Sequence, residues 1–314
     1  MPAWLKLLGG AVLFGIALAL LDWGHLWDGL GKVRLSAMAM ALLIMLTIQL
    51  VLAVRWILLL NHQVKIPVAA HFRIYLWGMF LNSITPANLG ADAYRVTALR
   101  SSSDSIAPLI VAVLQERLLG LAIYLITVPV CLLLYAISSD SRPTSEMVLA
   151  GLAAIAAIVA IVAAAPLLRL ALRFPGADRW SLLQRILQFG DRSVSLRRIP
   201  SLARVIGLSI GGWLLWFALV LLIARSIGLA LPASLLGAIV SLVEISRLIP
   251  LTFQGVGLRE GAFALLVAHA GGDPELGFLL GALAYLVVSL AMLLAAPLSQ
   301  IFRLFEPGGA PASR

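Results

Sequence analysis

Two short segments of this chain combine residues that could bind a charged group with residues that break a helix. The first lies between residues 81 and 95, and the second lies between residues 247 and 260. Each contains proline, glycine, a carboxylate and an arginine, and each lies between apolar stretches. Arginine and the N–H groups at a helix start both bind phosphate. Charges and helix breaks are costly in hydrocarbon, so their repetition indicates a binding site.

The first segment predicts a helix end, a tight return and a new helix start. Pro86 ends the incoming helix because it has no N–H and restricts the residue before it. Asp92 could act as a simple helix cap, or it could take part in substrate or proton handling, and the sequence leaves both readings open. The expected substrate-binding residues of this segment are Asn82, Pro86, Asn88, Gly90, Asp92 and Arg95.

The second segment has the same order of features. Pro250 breaks the chain, the glycines provide the turn, and an Arg-Glu pair opens the next helix. Guanidinium groups match phosphate oxygens, which makes both arginines candidates for bidentate phosphate contact. In the alternative reading, Arg259 pairs with Glu260 or Asp92 and only locks the two segments together. The expected binding residues are Arg247, Gly255, Gly257, Arg259 and Glu260.

Two further pairs of polar residues interrupt long apolar runs. Glu116 and Arg117 lie about three turns into a run of some 32 residues. Adjacent helix residues point about 100° apart, so we expect these two to face different neighbours, one of them the broken segments. Both are candidate substrate-binding residues. Arg55 and Trp56, near the end of another run, are predicted to form an anchor pair at the membrane interface.

The composition is that of a polytopic membrane protein. Of the 314 residues, 62% are hydrophobic and 12% are charged, and the mean hydropathy is +1.05. The net charge of +9 is interpreted as basic cytoplasmic loops rather than nucleic-acid binding. The single cysteine, Cys131, allows no internal disulfide, and the four histidines lack ligand spacing. We therefore expect no metal or other cofactor, and the absence of a catalytic motif argues against an enzyme.

The apolar runs and the loop charges predict the topology. Span-length runs lie near residues 4–21, 36–60, 106–137, 147–168, 205–224 and 275–301. The loop 169–204 carries eight arginines and is therefore placed in the cytoplasm, where part of it forms an amphipathic surface helix. Loop 22–34 is placed outside, although it contains Lys32 and Arg34. These assignments agree only if two segments enter the membrane and return to the side from which they came. Segment 72–100 would do so from the cytoplasm, and segment 235–271 from the outside.

The predicted fold is an all-α polytopic membrane domain over residues 1–314, with six full spans and two re-entrant helical hairpins. The first repeat covers residues 1–137 and the second, inverted repeat covers residues 147–301. Broken helices that meet near the midplane are typical of secondary transporters built this way. We expect a multi-pass protein of the bacterial inner membrane with both termini in the cytoplasm.

These residues together resemble the lysylphosphatidylglycerol synthase transmembrane family. The resemblance covers nearly the whole chain, and it departs from the family pattern at Ala91 and Gln254, where glycine is common. It implies lipid translocation or lipid handling. We expect no aminoacyl-transferase activity, because the chain ends at Arg314 without room for that soluble domain. The matching residues are Arg55-Trp56, Asn82, Pro86, Gly90, Asp92, Arg95, residues 116–120, Pro250, Gly255, Gly257, Arg259 and Glu260.

The leading hypothesis is a lipid translocase, or flippase, that moves a phospholipid or related polar lipid through a midplane cavity. Its partners would be membrane lipids, either anionic or aminoacylated phospholipids or hopanoid or polyprenyl lipids. One alternative is a membrane enzyme or subunit of polyprenyl-phosphate, glycolipid or hopanoid modification, with Asp92 or Glu260 as general base. Another is a small-solute or ion transporter. A homo-oligomer is compatible with the sequence.

Overall fold

The structure is a computed structural model that describes residues 23–60, 64, 66–85, 89–103, 105–138, 145–171, 202–247 and 255–306. Over these residues the chain is helical and contains no strand. The first apolar run, the amphipathic part of loop 169–204, Pro86, Asn88 and Pro250 lie outside the described residues. The helices are α1 Trp23–Gly31, α2 Leu35–Leu60, α3 Val68–Ile84, α4 Leu89–Leu99, α5 Ala107–Ser138, α6 Ser145–Ala171, α7 Leu202–Ser226, α8 Ala233–Ser246, α9 Leu258–His269 and α10 Pro274–Arg303.

Four of these helices, α2, α5, α7 and α10, are long and apolar enough to cross a membrane. Large apolar side chains point outward from them, including Leu43 at 58%, Leu133 at 60% and Leu214 at 52% exposure. Water would penalise such surfaces, whereas hydrocarbon accommodates them. The expectation of an all-α membrane protein is therefore confirmed. The predicted span at 147–168 corresponds to helix α6.

The helix α10 is at the centre of the fold. In its most apolar window 61% of the residues are buried, against 28–33% in the other three long helices. It packs against α1, α2, α3, α7 and α9. Close approach to α9 depends on Gly277, where a Cβ atom would lie 2.8 Å from the carbonyl oxygen of Phe263. Small residues at such contacts are the usual means of bringing membrane helices together.

The two broken segments form hairpins that open at opposite ends of α10. The first consists of α3 and α4, and the start of α3 lies beside the end of α10, where Phe72 and Phe302 stack at 5.0 Å. The second consists of α8 and α9. A Cβ on Gly272, just before α10, would lie 3.4 Å from Leu231, just before α8. The second hairpin therefore opens at the start of α10.

Equivalent helices of the two halves make equivalent contacts with the other half. The first arm of hairpin one, α3, packs on α10, the last helix of the second half. The first arm of hairpin two, α8, packs on α5, the last helix of the first half. The helices α2 and α7, which precede the hairpins, pack on each other. The two halves therefore contact each other in a reciprocal pattern.

Candidate functional site

Five charged side chains from three helices form one connected group beside the first hairpin. This first charge cluster consists of Arg55 on α2, Asp92 and Arg95 on α4, and Glu116 and Arg117 on α5. Glu116 accepts from Arg55 Nη2 at 3.0 Å and from Arg95 Nη1 at 2.8 Å. Asp92 pairs with Arg95 and with Arg117, whose Nε donates to Oδ2 at 3.0 Å. Each carboxylate therefore lies between two arginines.

Burial and aromatic contacts hold the first charge cluster in place. Arg95 is 5% exposed, and its guanidinium lies 4.3 Å from the ring centroid of Trp56 and 5.0 Å from that of Tyr75. Contacts between a cation and aromatic faces strengthen when water is excluded. Arg55 also donates to the hydroxyl of Ser209 on α7 at 3.2 Å. The cluster thus connects the first hairpin to α2, α5 and α7.

The start of α4 is organised by the polar residues of the first hairpin. The side-chain oxygen of Asn82 accepts from the N–H of Ala91 at 2.8 Å and so satisfies one free group of the helix start. A Cβ on Gly90 would overlap Thr85, whose hydroxyl donates to Leu81. Asp92 lies in the first turn of α4, but its carboxylate pairs with arginines. A cap therefore does not account for this residue.

The prediction that Glu116 and Arg117 face different neighbours is wrong. Glu116 binds Arg95 and Arg117 binds Asp92, so both contact α4. The two side chains leave α5 at different angles. Both still reach α4, because Asp92 and Arg95 lie one turn apart on that helix and offer each of them a separate partner. The long arginine side chain is able to reach around to the second one.

The prediction of an interfacial anchor at Arg55 and Trp56 is also wrong. Arg55 is 7% exposed and Trp56 is fully buried, whereas an interfacial pair would reach the headgroup region. The reason is tertiary, because Glu116 and Ser209 of other helices face Arg55. The sequence signal for this buried contact was the presence of a charged residue, Arg55, within an apolar run. Ser209 and Tyr75, which complete this environment, carry no comparable signal.

A second charge cluster lies at the second hairpin and consists of Glu244, Arg247, Arg259 and Glu260. Arg247 Nη1 donates to Glu244 Oε2 at 2.6 Å. Glu244 was not among the predicted residues, although its position three residues before Arg247 in an apolar helix is a recognisable pairing signal. Gly255 has a φ of 78°, and a Cβ there would lie 3.2 Å from Arg247. This glycine therefore provides both the turn and the space for the arginine.

The start of α9 uses its two charged residues differently. The carboxylate of Glu260 accepts from the N–H of Gly257 at 2.7 Å, which caps the helix. Arg259 is 1% exposed, and its guanidinium lies 4.8 Å from the ring centroid of Tyr285 on α10. Tyr285, like Tyr75 in the first cluster, was not predicted. The guanidinium of Arg259 therefore packs against an aromatic ring of the central helix α10.

The chemistry that this arrangement supports is the binding of an anion. The first charge cluster has three guanidinium groups and two carboxylates, so it carries one net positive charge. The side chain of Arg117 is 43% exposed, whereas those of Arg95 and Glu116 are 6% and 10% exposed. The cluster is thus accessible through Arg117. Helix α8, which carries Glu244, packs on α5, which carries Glu116 and Arg117.

Comparison with known proteins identifies one family. The family model described as the lysylphosphatidylglycerol synthase TM region matches residues 3–296. The matched range includes both hairpins and both charge clusters. No curated protein and no solved structure matches the chain.

Proposed function

Because the chain belongs to the lysylphosphatidylglycerol synthase transmembrane family, whose members are lipid-handling membrane proteins, we propose that it is a lipid translocase. Its substrate is a phospholipid or related polar lipid with an anionic headgroup. It acts in a bacterial inner membrane with both termini in the cytoplasm. Its partners are the membrane lipids themselves.

The observation that carries this proposal is the net positive charge of the first cluster. A headgroup phosphate can replace Asp92 as the partner of Arg95 and Arg117, because guanidinium groups bind both anions with the same geometry. The positive end of the helix dipole at the start of α4 adds to this attraction. The acyl chains remain beside the apolar outer faces of the helices. The cluster is thus suited to hold a headgroup inside the hydrocarbon layer.

Movement follows from the arrangement of the hairpins. The two hairpins open at opposite ends of α10, and each packs against the last helix of the other half. Rocking of one half against the other would expose the headgroup first on one side and then on the other. Repacking of the carboxylates on the arginines after release would restore the starting state.

The contacts of the two carboxylates support translocation over catalysis. Asp92 is paired with two arginines, and Glu260 accepts from the N–H of Gly257. Asp92 thus links α4 to α5, and Glu260 caps α9. These structural roles of the two candidate bases favour translocation over catalysis, so we propose that the protein transports lipid without modifying it.

The test is the rate at which fluorescent phosphatidylglycerol crosses the bilayer of proteoliposomes. We expect the protein to accelerate crossing over empty liposomes. Arg117→Gln should lower the rate by tenfold or more while changing the melting temperature little, because partly exposed ion pairs contribute only about 0–1 kcal/mol to stability.

The matched control is Arg225→Gln, which makes the same chemical change at an exposed residue at the end of α7. It should retain the wild-type rate. Equal rates with protein and with empty liposomes, for anionic and zwitterionic lipids alike, would contradict the proposed function.

A further inference from the structure

A polar side chain near the middle of α2 is buried without a hydrogen bond. Gln49 is 1% exposed, and within the described part of the chain neither atom of its amide group has a hydrogen-bond partner. A buried amide in this state lowers stability, because it has lost water without a replacement. Most buried polar groups in native proteins are satisfied, so this one requires an explanation.

Gln49 lies on the face of α2 that leads to the first charge cluster. It precedes Trp56 by seven residues, which is nearly two complete turns, so both side chains leave the same face roughly 10 Å apart. Trp56 in turn lies against the guanidinium of Arg95. Gln49 therefore lies on the same face of α2 as the cluster, about two turns toward the other end of the helix.

The register between α2 and α7 locates the neighbours of Gln49. Arg55 donates to Ser209, and a Cβ on Gly212 would lie 3.4 Å from Leu52. From the first contact to the second, the residue number falls by three on α2 and rises by three on α7. The two helices are therefore antiparallel. One further step of the same size brings Gln49 to the level of residues 215 and 216.

A second donor without a partner lies at this level. Trp216 follows Ser209 by seven residues and so lies on the same face of α7, toward α2. It is 7% exposed, and its indole N–H has no hydrogen-bond partner among the described residues. Two unpartnered polar groups thus lie about two turns beyond the contact between Arg55 and Ser209.

We propose that Gln49 and Trp216 form a second contact site for the lipid headgroup on its way across the membrane. The amide and indole N–H groups donate to phosphate oxygens, and the amide oxygen accepts from a headgroup hydroxyl or ammonium group. The contact is uncharged, so it holds the headgroup less strongly than the arginines and releases it readily. This inference rests on the proposed function, since it assigns a further step of the same movement.

The first test measures transport and stability together. Gln49→Leu should slow the crossing of fluorescent phosphatidylglycerol at least tenfold while leaving the melting temperature unchanged or higher, because an unsatisfied amide is replaced by an apolar group. Gln49→Asn should restore part of the rate. The control is Thr127→Val, which removes a partly buried hydroxyl that is bonded to Ser241 at 2.8 Å. It should lower the melting temperature and keep the rate within twofold.

The second test measures access of water to the site. Gln49→Cys combined with Cys131→Ala should react with a charged, water-soluble methanethiosulfonate reagent in proteoliposomes. The wild-type protein is the control, because Cys131 is 6% exposed in the apolar core and should react at least tenfold more slowly.

The outcomes separate this inference from the function on which it rests. A wild-type protein that moves no lipid overturns both. If the wild type moves lipid, the inference alone fails when Gln49→Leu transports at the wild-type rate. It also fails when the introduced thiol is as unreactive as Cys131, because a headgroup cannot then reach it.

Discussion

At the scale of single residues, the first charge cluster combines a cost in stability with a capacity for binding. Glu116 bonds to Arg55 and Arg95, and all three side chains are at most 10% exposed. Charges removed from water in this way are tolerated only when they are paired. The same pairing keeps the arginines in place for a headgroup. Stability and binding therefore depend on the same contacts, but the contribution of each residue to stability differs from its contribution to binding.

Glu116→Gln should be one of the most destabilising substitutions in the chain. It leaves two buried guanidinium groups with a neutral partner, and removing one member of a buried ion pair costs about 3–5 kcal/mol. The measurement is the midpoint of thermal unfolding in detergent. Asp28→Asn, at an exposed position of α1, is the control and should have almost no effect. Equal midpoints for the two variants would mean that the cluster contributes little to stability.

At the scale of secondary-structure elements, the hairpins are positioned by small residues and by helix caps. Asn82 caps α4, and Glu260 caps α9. Gly277 allows α9 to approach α10 closely, and Gly281 does the same one turn later, where a Cβ would lie 3.0 Å from the Cα of Glu260. Because α9 carries Arg259, this close approach also sets the position of the guanidinium on Tyr285. The element contacts therefore determine the geometry of the second charge cluster.

Gly277→Ala should destabilise the protein by about 1–3 kcal/mol, because the added methyl group meets the backbone of α9 and forces the helices apart. The control is Gly211→Ala on α7, where no described atom beyond the helix's own backbone lies within 4 Å of the added Cβ. There the change should be neutral or stabilise by about 0.5–1 kcal/mol, since alanine favours the helix. Thermal unfolding of both variants in detergent measures the difference. A loss of stability that is equal in both would contradict the proposed packing role.

At the scale of the whole molecule, the helix ends form two groups, one at each end of α10. Arg73, at the start of α3, donates to Glu306 beyond the end of α10 at 3.3 Å, and the sequence places both in the cytoplasm. At the other end, Lys32 lies 3.8 Å from a Cβ built on Gly228, and both belong to loops placed outside. The loop with Lys32, whose charge argued against its placement, is thus grouped with the other predicted outer segments.

Residues 225 and 303 should therefore react from opposite sides of the membrane. With Cys131→Ala as background, a membrane-impermeant thiol reagent added to intact cells should label Arg225→Cys. It should label Arg303→Cys only after permeabilisation. Both positions are exposed, so labelling of both in detergent is the control for reactivity. Labelling of both from the same side of intact cells would contradict the inverted arrangement.

Much of the fold could be predicted from the sequence, because hydrocarbon imposes simple requirements. A helix that crosses it must be long and apolar, so α2, α5, α7 and α10 are evident in the chain itself. The same requirement makes each proline, glycine and charge in an apolar run informative, which is how Asn82, Asp92, Arg95, Glu116, Arg259 and Glu260 were identified. Five of these residues lie in the two hairpins, and Glu116 lies on α5 beside the first hairpin.

Only the tertiary structure decided which of these charges meet. Arg55 has the sequence context of an interfacial anchor, yet Glu116 and Ser209 from distant parts of the chain enclose it. Gln49 belongs to no motif, and only the antiparallel packing of α2 on α7 places it at the level of Trp216. The physical reason is that membrane insertion depends on the average hydropathy of a segment, which is a property of the sequence. Which side chains contact each other depends instead on the rotation and register of the packed helices, and the tertiary structure alone sets these.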